Sequence, residues 1–396
     1  MKFALITIGN EILSDLTKNT NSKWISKKIN QIGCELCFKI TIKDDKVSIT
    51  NTLEYLTRQN LDYIITTGGL GPTKDDKTKE ALNDFILSNK TLKLTKNNTE
   101  SIQKISNTKL QVSNIKHVEN KLGTANGIWF NHLGINIIAL PGVPDEMKTM
   151  MRKSLLPNFK YKVKKNKFIR LIKTIGISES KIEKVILKNC NQTDMVGVGY
   201  YPSYYGVRVS LSSHNEKNID DVVNLLRKIL NDNIYSIKNE KLEEVVVTIA
   251  LKKNFTFSFA ESCTGGLMSN RITNVSGSSK VFKGSIVSYS NQSKTDFLNV
   301  DVSLLKSAGA VSEKTAITMA KNAALSFRTD YAVSITGIAG PTGGTSEKPV
   351  GLVYIALVSK NKSIVHKYNF GKIREINKIK ASQQALNLLR IMMKNG

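Results

Sequence analysis

The sequence predicts an α/β fold, with two α/β three-layer domains joined by a small α+β domain. Three observations carry this. Short apolar runs such as KFALITIG, LDYIITT, FTFSFA and DYAVSIT alternate with stretches of helical periodicity, which implies an open, mostly parallel sheet. Glycine-rich turns follow Ile8, Thr67 and Leu140, at the carboxyl ends of strands where such sheets bind ligands. The 396 residues allow two to three domains at roughly 150 residues each. With 40% hydrophobic residues, the chain can bury real cores without disulfide or metal staples.

The elements follow in order. In residues 1–160, KFALITIG is a strand. NTNSKWISKKINQIG is a helix, with Trp24, Ile25, Lys28, Ile29 and Ile32 at helical spacing and Gly33 closing it. CELCFKITI and LDYIITTGG are strands, DDKTKEALNDFIL a helix and GINIIALPG a strand and turn. Residues 161–240 form the small α+β unit: FIRLIKTIG and VGVGYYPSYYGVRVSLSS read as strands and DDVVNLLRKIL as an amphipathic helix. In residues 241–396, EEVVVTIALKKN is helical, FTFSFA a strand, and ESCTGG a glycine turn entering the helix LMSNRIT. KGSIVSYS is a strand, SEKTAITMAKNAALSF a helix capped by Ser312, and DYAVSIT a strand before the loop GIAGPTGGTSEKPVG. GLVYIALVS is a strand and KIKASQQALNLLRIMM the final helix.

Lys plus Arg number 58 against 32 acidic residues, a net charge of +26. Clustered cations would suggest nucleic acid. Here Lys is spread along the chain among abundant Asn and Ile, as an A/T-biased gene would produce, and only Lys160–Lys167 is dense. The charge therefore reads as solvated surface and linker, and argues against a nucleic-acid partner. No run of about 18 apolar residues is present, which excludes a typical membrane-spanning helix. The N-terminus MKFALITIGNEIL reads as a first strand and not as a leader, which points to the cytoplasm. Cys34, Cys37, Cys190 and Cys263 suit a reducing compartment. Cys34 and Cys37 are three apart on a strand, face opposite ways, and so cannot share a metal.

Ser262 carries the sharpest chemistry. It ends an apolar strand just before Gly265, Gly266 and a helix, whose N-terminal N–H groups and dipole can hold an anion or oxyanion beside the hydroxyl. A hydroxyl needs a base before it attacks. No His is near in sequence, but Lys294 could serve if burial lowers its pKa. From the residues alone, Ser262 as a helix cap and Lys294 as a surface side chain stand beside this reading.

The runs AESCTGG (Ala260–Gly266), SYSNQSK (Ser288–Lys294), GAVSE (Gly309–Glu313) and TGIAGPTGGTSEKPVG (Thr336–Gly351) resemble the C-terminal domain of the CinA family. That resemblance implies a nicotinamide mononucleotide deamidase, which releases ammonia and nicotinic acid mononucleotide without a cofactor. It implies Ser262 as nucleophile and Lys294 as base, with Tyr289 matching a tyrosine near that lysine. Thr264, Gly265, Gly266, Gly337, Gly340 and Gly343 are then expected to line the substrate. Arg374 matches the first arginine of a basic motif that would hold its phosphate, and Lys378 stands where a second arginine is usual.

Residues GNEIL (Gly9–Leu13), Asn21, TTGGLGPTKDDKTKE (Thr66–Glu80), LGTANG (Leu122–Gly127) and LPGVPDEM (Leu140–Met147) resemble the family's molybdopterin-binding-like N-terminal domain. In several members this domain is a metal-dependent ADP-ribose pyrophosphatase. Glu11, Asn21, Gly68, Gly69, Gly71 and Thr73 are then the expected nucleotide site, and Asp75 with Asp76 the expected holders of a divalent metal. An Asp pair before a helix is equally a favourable cap. Asp15 replaces a usual Gly, and Asn10 a commoner Thr, Ser or Asp. GISES (Gly176–Ser180) and YYPSYYGVRVSL resemble the family's linking domain. The resemblance further implies a homodimer. It leaves two alternatives: ADP-ribose hydrolysis as the main activity, or a non-enzymatic adaptor in competence or DNA damage.

Overall fold

The computed structural model describes residues 1–73, 75–94, 115–162, 168–189 and 195–396, except the side chains of 87–94 and 160–162. Lys74, Cys190 and most of the dense Lys160–Lys167 run lie outside the described residues. The chain divides into two compact units, Met1–Phe168 and Ile169–Gly396, so the small α+β region shares a unit with the last α/β region.

In the first unit β1 (Lys2–Ile8) pairs in parallel with β2 (Glu35–Ile42) on one side and β3 (Tyr63–Thr67) on the other. The sheet continues through parallel β6 (Ile135–Leu140) to antiparallel β5 (Gly127–His132) and β4 (Lys116–Val118). Its helices are α1 (Asn10–Leu13), α2 (Thr20–Gln31), α3 (Lys46–Thr57), α4 (Thr78–Leu94), α5 (Pro144–Met150) and α6 (Leu156–Lys162), with a π-helical turn between the last two. Alternation along β1 sends Ala4, Ile6 and Ile8 to one face, into a core with Ile49, Leu53 and Leu56 of α3 and Phe85 of α4. Phe3 and Leu5 face the other way, toward Ile25 and Ile29 of α2 and Phe159 of α6. The result is three layers, and the turns after β1, β3 and β6 share one edge of the sheet.

Helix α3 escapes the periodicity reading because Val47, Ile49, Thr50 and Thr52 give it a β-branched composition. Capping and burial decide: Asp45 accepts from the Ser48 N–H, and Ile49, Leu53 and Leu56 form a buried stripe. The β5 and β4 strands were likewise not distinguished in sequence. Cys34 is buried and Cys37 exposed, as their spacing predicts.

In the second unit β7 (Phe168–Thr174), β8 (Gly197–Ser203), β9 (Gly206–Ser213) and β10 (Ile234–Ser236) form a sheet in the order β10-β7-β9-β8, with α7 (Glu179–Asn189) and α8 (Glu216–Leu230). The last region builds a five-stranded sheet from β11 (Phe257–Glu261), β12 (Phe282–Val287), β13 (Tyr331–Gly337), β14 (Leu352–Ser359) and β15 (Ser363–Asn369). Its order is β12-β11-β13-β14-β15, with the first three parallel. Phe257 and Phe259 pack with α9 (Leu242–Lys253), α10 (Leu267–Thr273) and α14 (Arg374–Asn395). Ala260, Ala332 and Ala356 pack on the other face, with α13 (Glu313–Phe327), while α11 (Asn291–Leu298) and α12 (Val302–Ser307) connect β12 to it. Ser312 caps α13 through the Thr315 N–H. Edge strand β15 was not foreseen, since SIVHKYN is largely polar.

Both tryptophans, Trp24 and Trp129, lie in the first unit, so their fluorescence reports its unfolding. Leu53→Ala is expected to lower that unit's stability in urea by roughly 2–5 kcal/mol. Val47→Ala, on the exposed side of the same helix, should cost under about 0.5 kcal/mol.

Candidate active site

Strand β11 runs between β12 and β13, and the chain leaves it to one side and returns on the other. At such a switch point, ligands bind outside the carboxyl end of the strand. Ser262 is the first residue past that end, and its N–H donates to Ile335 O at 2.9 Å, extending the pairing to β13. Gly265 (φ 60°) and Gly266 (φ 87°) then turn the chain into α10 in a left-handed conformation that favours glycine. The cap of α10 is Gly266, so the Ser262 hydroxyl is free of the capping role.

Beneath the turn, Glu261 is fully buried and its carboxylate accepts from Met268 N (3.1 Å), Ser269 N (2.8 Å) and Ser269 Oγ (2.5 Å). An anion at a helix N-terminus is held by orphan amides and by the dipole. Glu261 therefore locks β11 to α10 and sets the intervening turn. Sequence reading passed over it. The available signal was a lone carboxylate ending an apolar strand before a glycine turn.

Lys294 lies on α11, capped by Ser290. Its side chain is only 2% exposed. Nζ stands 3.0 Å from Ser262 Oγ and donates to Ser288 O at 2.9 Å. Burial lowers the Lys294 pKa from its ordinary value, by disfavouring the ammonium. The charged side chain thus penalises folding at low pH, and the penalty fades as pH rises through the lowered pKa toward 10.5. Cys263 beside it is buried and its thiol is pushed up to about 12, chiefly by desolvation, which leaves it protonated and inert. Thr264 is buried with an unpartnered Oγ1, as is the Ser288 hydroxyl.

The loop after β13 completes the wall. Gly337 ends β13, Gly340 is buried and Gly343 exposed. Arg374, the first residue of α14, donates to Gly340 O at 2.8 Å and to the Tyr289 hydroxyl. Asn377 donates to Ala339 O (3.0 Å) and Gly371 O (2.9 Å). Tyr289 is therefore joined through Arg374 to the loop. Lys378 Nζ stands 3.8 Å from where a Gly265 side chain would begin, so a second cation reaches the serine turn.

In the first unit, Gly68 (φ 114°) passes so close to Ile8 O that a side chain could not fit. Gly69 leaves room for Asp44, and Gly71 for Asp76. Thr73 N and Oγ1 both donate to Asp76, and Asp75 is exposed. Asp44 Oδ1 accepts from Lys77 N at 2.9 Å. Burial raises the Asp44 pKa, with nearby Asp76, Glu11 and Asp45 adding to it. Sequence analysis did not single out Asp44. Asn21 donates to Thr67 Oγ1 (3.1 Å) and Gly142 O (2.6 Å), tying two turns together, while its Oδ1 is buried and unpartnered. Among the described residues, no three His, Cys, Asp or Glu side chains are grouped as a metal site requires. Asp75 is exposed, and Asp76 accepts from Thr73.

Three family models match in succession: a probable molybdopterin binding domain over residues 4–161, the damage-inducible protein CinA KH domain over 169–236, and the CinA C-terminal domain over 239–393. A putative competence-damage inducible protein of Thermoanaerobacter pseudethanolicus is 38% identical over 414 aligned positions, covering 98% of each chain. A CinA-like protein of Thermosipho melanesiensis is 39% identical, again over 98% of both. The chain belongs to the CinA family. Among solved structures, the competence/damage inducible protein CihA of Agrobacterium tumefaciens is 39% identical, with a TM-score of 0.38, over 39% of this chain and 93% of that one.

Asp15 has φ 55°, a left-handed position that Asp tolerates better than most residues. Asn10 opens α1, with its Oδ1 3.4 Å from Asp44 N. Among the described residues, no helix is long and apolar enough to cross a membrane.

Glu261→Ala strips two amides of α10 of their acceptor. At roughly 1–3 kcal/mol for each orphaned donor, the loss should be on the order of 3 kcal/mol, measured by far-UV circular dichroism in urea. An unchanged midpoint would show that the carboxylate does not hold the turn.

Proposed function

We propose that this CinA family member is an amidohydrolase that converts nicotinamide mononucleotide to nicotinic acid mononucleotide and ammonia. The observation that carries this reading is the buried 3.0 Å contact between Lys294 Nζ and Ser262 Oγ at a strand-to-helix turn. Neutral Lys294 accepts the Ser262 proton, and Oγ attacks the carboxamide carbon. The carbonyl oxygen becomes an oxyanion beside the turn, where the N–H groups of Thr264 and Gly266 are the available donors. The Lys294 ammonium then passes its proton to the leaving nitrogen, and ammonia departs from an acyl-serine. Water attacks that ester with Lys294 again as base, releasing the acid and restoring the serine hydroxyl. Arg374 and Lys378 supply positive charge for the phosphate end of the substrate, and the ordered Gly340 loop brings its backbone close.

Burial keeps Lys294 available as a base at lower pH than an exposed lysine. The rate of ammonia release should rise with pH through a pKa below 10.5, because the ammonium cannot accept a proton. A rate that falls from neutral pH upward would contradict this. Ser262→Ala and Lys294→Ala should each lower kcat by roughly 10³-fold or more. Activity that survives both substitutions sinks the dyad.

The crowding of Asp44, Asp76 and Glu11 favours a second reading for the first unit, hydrolysis of ADP-ribose to AMP and ribose 5-phosphate. No step is assigned to a metal there. Asp44→Asn should abolish AMP release from ADP-ribose supplied with magnesium or manganese. Wild-type protein that releases none with either ion would end this reading.

A further inference from the structure

The second unit holds a cavity of about 450 Å³ that the Ser262 site does not use. Its walls include Lys173 of β7, Tyr201 and Arg208 of the β8–β9 hairpin, Lys241 before α9, Arg271 of α10 and Gln383 of α14. The volume is within the roughly 300–1,000 Å³ of small-molecule sites.

One wall is fixed by a hydrogen-bond network around Arg271. Arg271 donates to Glu243 Oε2 (2.7 Å), Ser382 Oγ (2.9 Å) and Gln383 Oε1 (2.6 Å), and Gln383 Nε2 donates to Tyr205 O at 2.8 Å. Glu243 is the one carboxylate lining the cavity, and Arg271 already neutralises it. The other wall is different. Lys173, Arg208 and Lys241 form no ion pair among the described residues. Nearby Glu244 is engaged by the Lys241 backbone N–H at 2.6 Å. Burial disfavours the charge on half-buried Lys173; Glu244 is the strongest charge acting on it and favours the ammonium, Arg208 and Lys241 oppose it, and Glu243 supports it. Three cations with no direct ion-pair partner among the described residues share one concave wall, which favours a ligand that brings negative charge.

Flat surfaces accompany the charge. The Arg208 guanidinium lies 4.8 Å over the ring of Tyr201, and that of Arg271 lies 5.4 Å over Tyr205. Both tyrosines are half exposed, so each offers ring surface backed by a delocalised cation, a platform on which another aromatic ring can stack. Anion and ring recognition therefore coexist in one small cavity.

We propose that this cavity is a second ligand site that takes a mononucleotide. The phosphate sits against Lys173, Arg208 and Lys241, and the base stacks on the Tyr201 and Tyr205 side. The assignment does not depend on the amidase reading. AMP is the appropriate probe, since it carries no carboxamide for the Ser262 site to hydrolyse. Calorimetric titration of the full chain should show saturable AMP binding, weakened roughly tenfold or more in Lys173→Gln/Arg208→Gln and retained in Ser262→Ala and in Asp44→Asn, which separates it from AMP held in the first unit. Tyr201→Ala should weaken it severalfold, and ribose 5-phosphate should bind less tightly than AMP. AMP should also slow amide hydrogen exchange in the hairpin 197–213. If the double variant fails to fold, the Tyr201→Ala titration and the exchange map decide. The proposal is overturned by no binding at millimolar AMP, by variants that bind as wild type, or by ribose 5-phosphate binding as tightly as AMP. It is equally overturned if a single-stranded oligonucleotide binds through these side chains where AMP does not.

Discussion

A lysine ammonium has been taken out of water and set against a serine hydroxyl, and the architecture around it follows from that constraint. Isolated buried charge is costly, so the amine is driven toward its neutral form and toward the few acceptors in reach. Those are Ser262 Oγ and Ser288 O, both supplied by chain segments just past strand ends. The pair is brought together by parallel β11 and β12, since Ser288 N donates to Glu261 O at 2.8 Å where the two strands end. A flexible surface lysine could make the same contact for an instant. Only a buried one has its protonation state shifted by the contact's surroundings.

The same logic explains Glu261. It sits one residue before the serine, on the Phe257–Phe259 side of the strand, and faces the start of α10. Its carboxylate replaces the solvent that would otherwise satisfy two helix amides. The strand, the turn and the helix become one rigid piece, and the hydroxyl projects from the piece's apex. Rigidity here is local chemistry: acceptor, dipole and two glycines with positive φ. The other side of the site is held differently, by α14, whose Arg374 and Asn377 bind loop carbonyls. Because α14 also carries Ser382 and Gln383, and α10 also carries Arg271, the two helices that frame the serine turn frame the cationic cavity as well.

Much of the fold was legible in sequence wherever one force dominated. Buried parallel strands are continuous apolar runs, so β1, β3, β6, β11 and β13 were plain. Helix α3 and the edge strands were not, because their signal is split between burial on one side and solvent on the other, and β-branched residues in α3 argue locally for strand. The site divided along similar lines. Ser262 and Lys294 were legible as motifs, but a separation of 32 positions in sequence hides the distance at which they touch. Tyr289 entered the site through the family resemblance, and its hydroxyl is bonded to the guanidinium of Arg374, 85 residues on, a pairing no local pattern announces. Glu261 and Asp44 were invisible because a lone carboxylate has no periodicity. Only the helix amides and neighbouring charges that face them in the fold reveal what they do.

Net charge is a poor guide to function here, and the structure shows why. Solvated lysines interact through a high dielectric and a screening atmosphere, so each contributes little wherever it lies. The cations with chemical consequence are those whose surroundings deny them water or counter-ions. Lys294 is buried against a hydroxyl, Lys378 reaches over a glycine turn, and Lys173 shares a concave wall with Arg208 and Lys241. They are a handful among 58, spaced irregularly along the sequence, and they matter because the fold removes the compensation that every exposed lysine has. A basic chain of this kind need not be read as a binder of long polyanions, because its excess charge and its recognising charge belong to different residues.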